Sequence, residues 1–236
     1  MTETAEPTVA TQSWRLDADT GSMVPRSALD VLVDLNDKVT TGRVGEYQAV
    51  PLGFTPLDKT IGTGLRAGEL LLIGGAQGTG KTTMALQMAR NIASGGQANV
   101  LYICFEHDEQ YLLNRLIAME SALAHLPHKT GAIKIQDVRK EILGTWMAEG
   151  GSAAQLASNP RLRPSLDRIA RYGQNLVLLR GSQSASTVDN IRKLVQEHRR
   201  LSGDRRLVVF VDYLRRCPRS PSRAARPRRS RSSSTG

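Results

Sequence analysis

Apolar positions along the chain alternate between the spacing of a helix face and short continuous runs. Ala28, Leu29, Val31, Leu32, Leu35 and Val39 recur at helical spacing, with Ser27 able to cap the start and Gly42 able to end it. The apolar face of that helix either folds onto its own domain or docks on a neighbouring subunit. Leu70-Leu71-Leu72-Ile73 is a glycine-bounded apolar run and predicts a strand buried on both faces. Met84, Leu86, Met88, Ala89 and Ile92 predict a helix that ends at Gly95-Gly96. Val100 to Phe105 reads as a second strand, and Glu109 to Ala124 as a helix. Residues 125–165 show helical patches around Val138 to Met147, followed by an expected loop from Gly150 to Pro164. Leu176 to Leu179, Val188 to Arg200 and Leu207 to Val211 then read as strand, helix and strand. Strands alternating with helices predict an α/β fold with a mostly parallel sheet flanked by helices and right-handed crossovers.

This pattern divides the chain into four stretches. Residues 1–26 are polar and turn-rich, with Pro7, Gly21 and Ser22, and are expected to be disordered. Residues 27–50 hold the first helix and a connector, 51–214 the α/β core, and 215–236 an Arg/Ser/Pro mixture expected to be a disordered basic tail. A chain of 236 residues has room for one sizeable domain with short extensions.

The net charge of +10 suggests nucleic acid until its location is considered. Residues 215–236 contain eight arginines and no acid, leaving 24 basic against 22 acidic residues in the remainder. The core is therefore nearly neutral. Two cysteines, Cys104 and Cys217, make neither a disulfide framework nor a zinc cluster. No apolar stretch approaches the roughly 20 residues that span a membrane, and the N-terminus lacks the regions of a signal peptide. The expectation is a cytoplasmic protein with no membrane partner.

Gly75-Ala76-Gln77-Gly78-Thr79-Gly80-Lys81-Thr82 fits G-x-x-x-x-G-K-[ST], between a predicted strand and a predicted helix. In such a loop glycines let successive N–H groups turn toward phosphate oxygens, and the helix start adds about half a positive charge. Lys81 is the candidate to neutralise the β and γ phosphates and Thr82 to hold Mg²⁺, which makes ATP and Mg²⁺ the expected cofactors. Asp212 follows the last strand at the edge of the sheet where ligands of open α/β folds bind. It is either the second ligand of the metal shell or an ordinary turn former. Glu106 follows the second strand and is either the base that orients attacking water or an acidic residue favouring the next helix N-terminus. His107, Asp108 and Glu109 compete for that second role.

Several stretches together resemble the C-terminal ATPase domain of DnaB-like replicative helicases, within the RecA-type P-loop group. Gly53-Phe54-Thr55-Pro56-Leu57-Asp58, Gly62, Gly64-Leu65, Gly68 and Glu69-Leu70 resemble the lead-in to the P-loop strand. Thr83 to Ala89 is similar to the family's first core helix. Phe105-Glu106, Gln110 and Arg115 to Ser121 are similar to its most diagnostic stretch, and Thr187 to Arg200 and Val211-Asp212-Tyr213-Leu214 complete the likeness. The resemblance covers residues 28–214, because the first helix also looks like the linker that joins such domains into hexamers. It implies a RecA-like core and an ATP-hydrolysing motor that moves along single-stranded DNA in replication. By carry-over it implies nucleotide contacts from Gly75 to Thr83, catalysis by Lys81 and Glu106, and metal binding by Thr82 and Asp212. KaiC-type and RadA-type ATPases share the lead-in and P-loop and supply the alternative, although RadA-type proteins carry a zinc cluster that this sequence lacks.

The family normally continues after Leu214 with a Gln, further strands, DNA-binding loops and an arginine finger. Here Arg215-Arg216-Cys217-Pro218 opens the basic tail instead, so the core reads as incomplete at its C-terminal end. The tail is either a phosphate-gripping arm or out-of-frame translation, since codons exist for those four residues whose next frame reads Gln-Lys-Val-Pro. We favour the latter, with weak nucleotide binding and little hydrolysis expected. A further alternative is an inactive fragment with a basic nucleic-acid-binding tail.

Overall fold

The computed structural model describes residues 26–126, 131–149, 153–182, 186–203 and 205–213. The basic tail, the N-terminal segment up to residue 25 and the start of the loop expected at 150–164 lie outside these residues. The chain forms two units, Met1–Gln48 and Ala49–Gly236.

The first unit is built on α1 (Ala28–Thr40). Its start is a reciprocal cap: Ser27 Oγ accepts from the Asp30 N–H at 3.1 Å, and Asp30 Oδ2 accepts from the Ser27 N–H at 3.0 Å. No residue of α1 is buried, and Leu29, Val31, Leu32, Val33 and Val39 are all exposed. A 3-10 turn at Gly45–Tyr47 follows.

The second unit runs through α2 (Thr55–Thr60), α3 (Lys81–Gly95), β1 (Ala98–Cys104), α4 (Glu109–Ala124), α5 (Ile135–Glu149), α6 (Ala153–Ser158), α7 (Arg163–Ala170), β2 (Leu176–Arg180), α8 (Val188–Ser202) and β3 (Arg206–Asp212). The three strands are parallel, in the order β2-β1-β3. In register, Tyr102 sits beside Leu178 on one flank and Phe210 on the other.

β1 is buried along its whole length, which matches the apolar run that begins at Val100. Alternation divides its side chains between two layers. Val100, Tyr102 and Cys104 pack with Leu86, Ala89 and Ile92 of α3 and Leu112 and Leu116 of α4. Leu101 and Ile103 face the other way and pack with Ile191 and Val195 of α8. The chain thus steps from β1 to β2 through helices on one face and returns to β3 through α8 on the other. Steps in opposite directions keep the same right hand only by using opposite faces.

Two expectations need correction. Leu70–Ile73 is not a strand: the segment has no pairing, and Leu70 and Leu72 are 81% and 71% exposed. An apolar run becomes a strand only where a neighbour completes its hydrogen bonds, and none of the described residues does so. The loop expected from Gly150 to Pro164 contains α6, and α7 begins at Arg163 with Pro164 in its first turn, where a missing N–H costs nothing. Ile133, Val138 and Leu162 bury against Ile117 of α4 and form a second, smaller core there.

The lead-in to α3 is held by side chains. Asp58 accepts from the N–H groups of Leu52, Gly53 and Phe54 at 2.7, 3.0 and 3.0 Å. Asn91 of α3 donates to the Leu52 and Gly53 carbonyls. An antiparallel bridge joins Val50 to Leu65.

Candidate functional site

The loop Gly75–Gly80 leads directly into α3, whose N-cap is Gly80 at φ +89°. Gly78 also has positive φ, +79°, so two glycines make the turn that side-chain-bearing residues resist. The turn is braced by Thr79, whose hydroxyl donates to the Ala76 carbonyl at 2.9 Å. Lys81 reaches back across the loop, its Nζ donating to the carbonyls of Gly75 at 3.0 Å and Ala76 at 2.6 Å. The ammonium is therefore held against the loop that leads into α3, whose first N–H groups have no partner within the helix. Thr82 and Thr83 occupy the first turn of the same helix.

Asp212 closes β3 opposite Cys104 in register, and its carbonyl accepts from the Phe105 N–H at 2.7 Å. Its carboxylate is gripped from below: Tyr102 Oη donates to Oδ2 at 2.9 Å, and Cys104 Sγ lies 3.9 Å from the same oxygen. Burial, reinforced by the Asp212 charge, pushes the Tyr102 phenol far above its ordinary value and keeps it a donor. Burial also raises the Cys104 thiol. Asp212 and Lys81, far apart in sequence, line one cavity of about 320 Å³. The two charges expected to share a ligand are thus brought to one place.

Glu106 lies two residues beyond β1, exposed, at the same end of the sheet, but not in the lining of that cavity. The competing structural roles are filled by its neighbours. Asp108 caps α4 by accepting from the Tyr111 N–H at 2.7 Å, and Glu109 accepts from the Arg180 N–H at 2.6 Å. Glu106 has no side-chain hydrogen bond or ion pair among the described residues.

Two contributors escaped sequence reasoning. Tyr102 was hidden as one residue of an apolar strand, and its hydroxyl in an otherwise aliphatic run was the available signal. Arg115 joins the two sides of the site: it donates to Thr83 Oγ1 at 2.9 Å and to the Tyr111 hydroxyl at 2.6 Å, while Tyr111 stacks on His107 at 4.0 Å. Arg115 stands in the stretch that carries the resemblance, but spacing alone does not say what it touches.

A glycine turn, a lysine at a helix start and a carboxylate at the end of a neighbouring parallel strand define the P-loop class of α/β proteins. The sequence model described as the DnaB-like helicase C terminal domain matches residues 49–234, and the chain belongs to that family. The matched span continues through the arginine-rich stretch. The replicative DNA helicase DnaB of Geobacillus stearothermophilus is 30% identical over 110 residues, covering 46% of this chain and 24% of that protein. The DNA repair protein RadA of Aquifex aeolicus is 38% identical over only 68 residues, covering 29% of this chain and 15% of that one. The chain thus spans about a quarter of the length of the replicative helicases it matches. Among solved structures, a DnaB-like replicative helicase, described together with its interactions with primase, aligns with a TM-score of 0.56 at 22% identity. That alignment covers 85% of this chain and 42% of the helicase, a likeness of fold. The RadA alternative is the weaker, because the family model that matches residues 49–234 is the DnaB-like helicase one.

Proposed function

We propose that this chain is the ATP-binding and ATP-hydrolysing motor domain of a DnaB-like DNA helicase acting in replication. The observation that carries the reading is the meeting of Lys81 and Asp212 on one cavity at the end of the parallel sheet. In this reading the N–H groups of Gly75 to Thr83 and the Lys81 ammonium hold the β and γ phosphates, a charge-assisted arrangement at a helix N-terminus. Lys81 already bonds two carbonyl oxygens of the loop, so phosphate oxygens would take over partners of the same kind.

The residues present fit magnesium. Thr82 offers a hydroxyl and Asp212 a carboxylate held in place by Tyr102, both hard oxygen donors, and Mg²⁺ is commonly held by one or two such groups plus substrate phosphates. When bound, the ion neutralises charge on the phosphate oxygens. Glu106, unpaired and exposed at the same sheet end, is the group proposed to orient water or accept its proton. The exposed apolar face of α1 supports docking on a neighbouring subunit and hence a homo-oligomer, hexameric by family likeness. Single-stranded DNA is the proposed track. The cytoplasm is the proposed compartment, and among the described residues no helix is long and apolar enough to cross a membrane.

The test is fluorescent-ATP binding to the full chain with and without Mg²⁺, paired with a DNA-stimulated phosphate-release assay. Binding that needs Mg²⁺ and falls at least tenfold in Lys81→Ala is expected. Binding indifferent to both would remove the nucleotide reading, and hydrolysis unchanged in Glu106→Gln would remove that residue's role.

A further inference from the structure

Between the bond that closes the sheet at Phe105 and the cap of α4 at Asp108, the chain makes a two-residue turn, Glu106 and His107. Phe105 is fixed on one side by its bond to the Asp212 carbonyl, and Asp108 on the other by capping α4. Within the turn the His107 N–H donates to Cys104 Sγ, a weak acceptor, at 3.4 Å, and the Glu106 side chain has no partner among the described residues. The His107 ring is held more firmly. It stacks on Tyr111 in the first turn of α4, with centroids 4.0 Å apart and planes at 26°. Tyr111 is itself gripped: its hydroxyl accepts from Arg115 Nη2 at 2.6 Å, and the guanidinium lies 4.9 Å from its ring centroid. Arg115 Nη1 donates to Thr83 Oγ1 at 2.9 Å. A continuous chain of contacts therefore runs from Thr83, next to Thr82 in the first turn of α3, through Arg115 and Tyr111 to His107 and the turn that carries Glu106.

We propose that Tyr111 is a positioning residue for Glu106. It couples the turn to the start of α3, so that the group assigned to water keeps its distance from the loop assigned to phosphate. The inference rests on the reading of Glu106 given above. Two observations separate this role from packing. α4 is already seated on α3 by Leu112 and Leu116 against Leu86, Ala89 and Ile92, whereas Tyr111 and Arg115 lie outside that core and are partly exposed. Arg115 also keeps its place with Nε buried and without an acceptor among the described residues, a cost that packing alone does not explain. Its planar guanidinium carries donors at fixed angles, so bonding Thr83 and Tyr111 together sets their separation. The stack passes that constraint to His107, the chain neighbour of Glu106. A general base acts only within hydrogen-bond reach of the proton it takes, so a displacement of about 1 Å is enough to slow the step.

The test uses the full chain. Tyr111→Leu removes both the stack and the Arg115 bond, His107→Ala removes the stack alone, and Tyr111→Phe removes the bond alone. Without nucleotide, hydrogen-exchange protection at the amides of residues 106 and 107 should fall several-fold in the first two variants, while Leu86–Ala93 of α3 stays as protected as in the wild type. Fluorescent ATP with Mg²⁺ should bind all three within about twofold of the wild type, whereas DNA-stimulated phosphate release should fall roughly tenfold in Tyr111→Leu and His107→Ala and less in Tyr111→Phe. In a Glu106→Gln background Tyr111→Leu should bring no further loss, because it acts through the group already removed. Unchanged protection at the turn would overturn the proposal whether or not nucleotide binds. So would release retained in Tyr111→Leu but lost in Glu106→Gln, or a further loss of roughly tenfold in the double variant. Release unaffected by Glu106→Gln alone would instead remove the reading of Glu106, and the proposal with it.

Discussion

Tyr102 lies within β1, yet its hydroxyl reaches the carboxylate of Asp212 at the end of β3, 2.9 Å away. The two residues belong to adjacent parallel strands, and the bond sets the direction of a side chain that would otherwise turn freely at the sheet edge. Tyr102→Phe removes only that hydroxyl. Its stacking on Phe210, with centroids 5.5 Å apart, survives. The expected outcome is a stability loss of about 1 kcal/mol, together with a several-fold fall in Mg²⁺-dependent nucleotide affinity. Chemical denaturation and a magnesium titration of nucleotide binding separate the two effects.

Glu120 is fully buried and is held by Arg90, Arg168 and the hydroxyl of Tyr172, the last at 2.8 Å. The cluster ties α4 to α3 and α7 beneath the sheet. Removing the acid strands two guanidinium groups, one of them largely buried. Glu120→Ala should cost roughly 3–5 kcal/mol, read as a shift in the urea midpoint, and Glu120→Gln somewhat less because one acceptor oxygen remains.

The same carboxylate sets a dependence on pH. Burial alone would raise its pKa, but the hydrogen bonds from Arg90, Arg168 and Tyr172 outweigh burial and hold it below the ordinary glutamate value. A lowered folded value means the stabilisation is fully present above the unfolded pKa of about 4.3 and is lost as the pH falls below it through the folded value. Thermal melts of the wild type should therefore decline on acidification below that point. The decline should be visibly shallower in Glu120→Gln, which cannot titrate there.

Gly64 is required by space and by backbone angle. It has φ +133°, and a Cβ there would lie 2.3 Å from the Val50 carbonyl oxygen, the partner across the bridge to Leu65. Gly64→Ala should lower stability by about 2 kcal/mol or more. Val50 and Leu52, both buried, should lose protection in hydrogen exchange before the strands do.

Much of this molecule is legible along the chain because it depends on neighbours a few residues apart. The Ser27–Asp30 cap, the period of Leu86, Ala89 and Ile92 in α3, the glycine turn before Lys81 and the apolar run of β1 from Val100 all follow from local spacing and backbone freedom. Leu70–Ile73 failed as a prediction for a different reason. Its residues suit a strand, but pairing is a property of two segments, and only the folded chain discloses whether the second is at hand.

The candidate site divides along the same line. Local sequence dictates the phosphate loop and the strand that ends in Asp212, since both need only short-range geometry. That Lys81 and Asp212 share a cavity, that Tyr102 holds the carboxylate and that Arg115 reaches Thr83 were settled by the parallel order β2-β1-β3 and the packing of α3 and α4 on one of its faces. Contacts between groups distant along the chain are paid for by burying a common core, so they come into being only when that core has formed.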